Sequence, residues 1–256
     1  TFGYAGIFSC SLMKVPTTLG GGILLTDDLL LHKKIEVELT SLKYSKKVKD
    51  ALIFYIKNII SILNSFPLIY TSLTHHIFGL VKNRNPILLR KVLYSGMGLM
   101  SNKFDPWERP VLAKYQLYVG NAQFNRTREM TKIRIKYSAI FDNILSKSSA
   151  ITILPCSEHC FWNRQYHVIK LKTKEHMNFI FDDMFKKGFH LMKEDVWDCT
   201  SYDFSNDIAS DCIVSQTHTP ALIRIPNNSL LTSATIEQIA IELVKSSDKY
   251  FIDNND

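Results

Sequence analysis

Lys14 is the side chain in this sequence best placed for covalent chemistry on a carbonyl. Leu12, Met13, Val15 and Pro16 surround it in an apolar loop between two short strand-like runs. Burial disfavours the ammonium form, so an amine kept from water there lowers its pKa and can attack an aldehyde as the neutral base. The expectation is therefore an amine sheltered from bulk solvent. Ser9 closes the first strand five residues earlier, where its hydroxyl can meet a phosphate. The Gly20-Gly21-Gly22 run lets backbone approach a cofactor or a neighbouring strand closely. On these physical features alone, a surface lysine beside a flexible glycine loop accounts for the pattern better than catalysis does. A second cluster, Cys156-Ser-Glu-His-Cys160, has metal-binding residue types. No second ligand pair at finger spacing accompanies it, and no metal is expected.

The elements that would position these residues follow an α/β grammar. Ala5–Cys10 and Ile23–Thr26 have strand length, and Asp27 or Asp28 can cap a helix running to about Leu39. A long helical pattern extends from Pro110 to about Leu145. Tyr166 to Lys172 alternates as a half-buried strand. A helix from about Glu175 to Lys187 ends at Gly188, suited to a C′ glycine. Ala221–Ile225 is a further strand. Thr232 or Ser233 then caps a helix whose Ile236, Ile239, Ala240, Leu243 and Val244 recur at helical spacing.

Residues 45–93 differ in character. Ala51–Ile56 and Ile59–Leu63 form a strongly apolar helix, Pro67 interrupts it, and a second apolar piece runs from Leu68 to Val81. Lys57, Asn58, Asn64, Pro67 and the His75-His76 pair spoil every window long enough to span a membrane. The segment reads first as a helical insertion packed on the protein or its dimer partner. Its second reading is a hairpin lying on a membrane interface.

With 256 residues, 46% of them hydrophobic, and 26 Phe and Tyr, the chain can bury a sizeable core and is not disordered. Its five cysteines lack framework spacing and fit reduced thiols in the cytoplasm. No secretory signal opens the chain, which begins at Thr1 and reads as the interior of a longer protein. Twelve Lys and Arg face three acids between Leu31 and Lys103, a local balance of +9 within a net +7. An anionic membrane surface suits that apolar, basic stretch better than nucleic acid, for which no module is recognisable.

The stretch from Thr1 to Asp28 resembles the lysine signature of the DegT/DnrJ/EryC1/StrS family, the sugar aminotransferases that use pyridoxal 5'-phosphate (PLP). Phe8-Ser9, Lys14, Thr17-Thr18, Gly21-Gly22 and Thr26-Asp27-Asp28 all fall in the family register. The resemblance implies the PLP-dependent transferase fold type I in truncated form. Residues 1–44 would be the end of the large PLP-binding domain, 45–108 a basic apolar helical insertion, and 109–256 a linking helix with a small C-terminal α+β domain. It also implies that Lys14 bonds to PLP and shuttles the proton, and that Ser9 holds the phosphate. Arg109, opening a run similar to the family helix that continues through Gly120 to Gln123, stands where relatives have a phosphate-binding Asn from the dimer partner.

The substrates implied are a keto sugar on a nucleotide and an amino donor such as glutamate, handled by a cytoplasmic homodimer. Lys14 argues against the dehydrase branch of the family. Two departures stand out: Leu19-Gly20 replaces the family's Gly-Glu, and Val15-Pro16 stiffens the backbone after the lysine. The Asp that meets the pyridine nitrogen in the family precedes the lysine strand, so this polypeptide alone is expected to hold PLP poorly. The alternative is an inactive member of the same fold, or a membrane-proximal binding module.

Overall fold

Alternation is clearest in the strand Tyr166–Leu171, where half-buried and buried residues take turns without a break. It anchors the second of two compact units, Thr1–Thr127 and Arg128–Asp256. The computed structural model describes residues 3–10, 14–18, 21–41, 56, 59, 63, 66–84, 114–157, 159–193 and 212–253. In chain order the elements are β1 (Gly6–Ser9), β2 (Gly22–Leu25), α1 (Leu29–Ser41), α2 (Pro67–Ile69), a π-helical turn (Tyr70–Thr74), α3 (His75–Arg84), α4 (Lys114–Leu145), β3 (Ile151–Ile153), β4 (Tyr166–Leu171), α5 (Lys174–Lys186), β5 (Met192–Lys193), α6 (Ile213–His218), a 3₁₀ turn (Thr219–Ala221), β6 (Leu222–Pro226) and α7 (Ser233–Asp253).

The second unit is an antiparallel sheet of order β3-β4-β6-β5 with helices over one face. His167 pairs with Ile225 and Ile169 with Ile223, so the buried positions of β4 and β6 lie side by side. Against them pack Phe141 and Leu145 of α4, Met177, Ile180 and Met184 of α5, and Ile236, Ala240 and Leu243 of α7. This is the two-layer α+β arrangement in which a sheet hides one apolar face under helices.

Local chemistry sets the ends of these helices. Thr173 Oγ1 accepts from the His176 N–H at 3.1 Å and caps α5. At the other end Gly188 takes φ of +87°, and the Phe189 and Gly188 N–H groups donate to Met184 O (2.9 Å) and Phe185 O (3.0 Å). That is a Schellman closure, and glycine suits it because other residues resist positive φ. Thr232 Oγ1 accepts from the Thr235 N–H at 3.2 Å and caps α7.

The seam between α5 and α7 is polar. Ser246 Oγ hydrogen-bonds Asp183, and Lys187 Nζ reaches Ser246 (3.0 Å), Asp183 (2.8 Å) and Glu242 (3.0 Å). Burial acts to raise Asp183, but the bonds from Lys187 and Ser246 outweigh it and hold the carboxyl below its ordinary range. One residue on, Ser247 Oγ lies 3.1 Å from His176 Nε2, and Tyr250 stacks on that imidazole at 4.7 Å between ring centres.

In the first unit β1 and β2 form a two-stranded antiparallel ribbon followed by α1. Tyr4, Ile7, Phe8, Leu24, Leu25, Leu29 and Leu30 remain exposed there, so the ribbon leaves much apolar surface uncovered within this chain.

Candidate functional site

The ribbon positions the signature residues. Gly22 pairs with Ser9, and a side chain on Gly22 would meet the Phe8 carbonyl oxygen at 2.9 Å, so only glycine lets the strands come this close. Gly21 beside it has φ of +79°. The loop between the strands closes on the buried Cys10. Its N–H donates to Gly21 O (3.0 Å), while its carbonyl accepts from Thr18 N–H (2.9 Å) and from the Thr17 and Thr18 hydroxyls (3.4 Å each). Burial pushes the Cys10 thiol up, against a smaller lowering by its hydrogen bond with Thr18.

Lys14 therefore lies in a loop whose two ends are tied together within one turn of Ser9. Both Lys14 and Ser9 are exposed, and neither side chain has a hydrogen-bond partner among the described residues. This corrects the expectation of an amine sheltered from water. The reason is the thinness of the ribbon: apolar side chains of both strands are open to solvent, and among the described residues of this unit none covers Lys14 itself.

The far end of the signature has a structural role. Asp28 Oδ1 accepts from Leu30 N–H (2.7 Å) and Leu31 N–H (3.0 Å), capping α1. Thr26 Oγ1 donates to Tyr4 O at 2.8 Å and accepts from Asp28 N–H at 3.1 Å. A hydrogen bond from Tyr4, then the backbone N–H groups, lowers the Asp28 carboxyl and in turn raises the Tyr4 phenol.

Two further residues, neither expected from sequence to touch the lysine loop, hold it. Gln116 Nε2 of α4 donates to Thr18 O at 3.2 Å. A side chain on Gly120 would lie 2.7 Å from the Thr18 methyl, so the glycine makes room for the buried Thr18. Arg109 and Leu19-Gly20 lie outside the described residues. In the second unit, His167 is fully buried, stacks on Phe141 at 5.0 Å and lies 3.5 Å from Asp142 Oδ1. Burial, then Arg164, lowers its pKa to about 4, so the ring is neutral at pH 7 and its place is structural. Tyr166, next to it, lies under the Arg224 guanidinium at 4.8 Å.

Solved structures supply the comparison for this arrangement. Spr1654 of Streptococcus pneumoniae, assigned as a sugar aminotransferase, matches in its PMP form over 100% of this chain and 54% of its own, at 13% identity and TM-score 0.62. PseC of Helicobacter pylori, an aminotransferase involved in the biosynthesis of pseudoaminic acid, matches over 97% of this chain and 54% of its own, at 15% identity and TM-score 0.59. The third is DesI, solved in the presence of its TDP-sugar product. It matches over 100% and 53%, at 13% identity and TM-score 0.57. The fold is that of the PLP-dependent aminotransferases. The chain spans about half the length of these structures, and at such identities the likeness shows the fold alone. No protein-family model matches the chain, and no curated protein matches it by sequence.

In chemical terms the ribbon carries an amine at Lys14 and a hydroxyl at Ser9. An amine can attack a carbonyl carbon, and a hydroxyl can donate to an anionic oxygen. The tied loop between them keeps both on one hairpin.

Proposed function

We propose that this chain is the lysine-bearing part of a PLP-dependent sugar aminotransferase of the DegT/DnrJ/EryC1/StrS type. In this reading it moves an amino group from an amino acid such as glutamate to a keto sugar on a nucleotide, for amino-sugar or polysaccharide synthesis, as a cytoplasmic homodimer. Bound PLP would supply the electron sink that such a transfer needs. Lys14 would hold it covalently and pass the proton, Ser9 would donate to its phosphate, and Arg109 would reach the phosphate of the neighbouring subunit through its planar fork.

One observation carries the reading. The five signature groups, Phe8-Ser9, Lys14, Thr17-Thr18, Gly21-Gly22 and Thr26-Asp27-Asp28, occupy one hairpin and its helix cap in a chain with an aminotransferase fold. The exposure of Lys14 and the missing loop acid at Leu19-Gly20 favour one other reading, a non-catalytic module of the same fold. Titrating PLP into the complete protein separates the two. The aminotransferase reading expects a lysine-bound PLP absorbance band that borohydride fixes on Lys14 and that Lys14→Ala removes. A band that survives in the variant would end the assignment. No band in the wild type would leave the non-catalytic module.

A further inference from the structure

An apolar side chain recurs every three or four positions along the outside of residues 56–80. Ile56, Ile59, Leu63, Phe66, Leu73, Ile77 and Leu80 are each between 44% and 60% exposed, and the half-buried Tyr70 fills the one place between Phe66 and Leu73. Ile56, Ile59 and Leu63 are helical. The chain then turns at Phe66, whose N–H donates to Leu63 O at 3.1 Å, and Pro67 opens the helical run to Arg84. Steps of three and four keep Leu73, Ile77 and Leu80 on one stripe of that run. Among the residues of the run whose burial is described, the buried one is the polar Thr74, while Leu68, Leu73, Ile77 and Leu80 are exposed.

Charge narrows the choice of what covers such a stripe. Between Ala51 and Lys103 the sequence has six Lys and Arg and no acid. Lys57 stands at the start of the stripe and Lys82 and Arg84 follow it, so a second copy docking face to face would bring basic flanks together. Among the described residues no helix is long and apolar enough to cross a membrane. An anionic lipid surface offers what the stripe lacks: an apolar layer beneath a sheet of negative headgroups.

We propose that residues 56–80 dock this protein on an anionic membrane surface, with Phe66, Leu73, Ile77 and Leu80 entering the boundary between headgroups and acyl chains. The inference stands apart from the aminotransferase reading, because PLP binding and lipid binding are separate measurements on the same preparation.

Co-sedimentation of the full chain with vesicles tests it. Phosphatidylcholine vesicles containing phosphatidylglycerol should pellet the protein about ten-fold better than phosphatidylcholine alone, and salt should reverse the difference. The pair Leu73→Asp with Ile77→Asp should abolish pelleting while leaving the circular dichroism unchanged. Because that pair can disturb folding, Leu80→Trp in otherwise unaltered protein gives a second reading, a blue shift of the added indole emission when anionic vesicles are present. The proposal is overturned by no pelleting at low salt, by pelleting that the Asp pair does not change, or by emission from the Leu80→Trp variant that ignores the vesicles. A dimer in solution that the Asp pair dissolves would overturn it in favour of a second copy.

Discussion

Thr18 and Gly120 are 102 positions apart in sequence yet share one small space, and the pair can be tested by exchange. Gly120→Ala places its Cβ 2.7 Å from the Thr18 methyl, too close for either to stay put. The expected cost is about 1–3 kcal/mol, as for overpacking elsewhere. Thr18→Ser keeps the hydroxyl that bonds Cys10 O and removes the methyl. The double variant should therefore regain most of the urea midpoint lost by Gly120→Ala, and a double variant no better than the single one would refute the contact. Neither this contact nor the Gln116 bond to Thr18 O was legible beforehand. The signature fixes what is near Lys14 along the chain, whereas these partners come from a distant helix. Exposure of Lys14 was hidden for a related reason: apolar neighbours in sequence do not bury an amine unless another layer covers their strand.

At the scale of elements, periodicity and caps were readable because they are local. The strand expected at 166–172 is β4, with its alternation intact. Asp28, Thr173 and Thr232 cap their helices through one side-chain oxygen each, and Gly188 ends α5 at positive φ. Removing such an oxygen has a known cost. Thr173→Ala should destabilise the second unit by about 1 kcal/mol, and Thr173→Ser should restore it, both read by urea unfolding. The shortest elements were not anticipated. β3 and β5 have three and two residues, too few for an alternation to show, and both exist because β4 and β6 offer them edges. The π-helical turn at Tyr70–Thr74 likewise has no sequence period that announces it. Pro67 was expected to interrupt the helical run; the chain bends at Phe66, and Pro67 opens the second piece, since the first turn needs no N–H from it.

For the molecule as a whole, the second unit carries a built-in dependence on acidity. Burial holds both His167 and His176 down to about 4 from 6.5, assisted by Arg164 and Lys172 respectively. Between those two values the unfolded chain takes up protons that the folded chain refuses, so stability is complete above 6.5 and is lost as pH falls toward 4. The slope should approach about 1.4 kcal/mol per pH unit for each histidine. Urea midpoints measured from about pH 7 to about pH 4.5 should drop steadily, and His176→Leu should flatten the drop by about half. Midpoints that stay level across that range would dismiss the idea.

The paired serines of α7 have one more consequence. Ser246 answers Asp183 while Ser247 answers His176, two different partners one residue apart on the same helix. Were α7 to slide along α5 by a single turn, neither serine would lie opposite its partner, and both hydrogen bonds would be lost together. Leucine and isoleucine contacts could re-form after such a slip, but these two could not. The seam is thus keyed as well as sealed, and the key admits one seating.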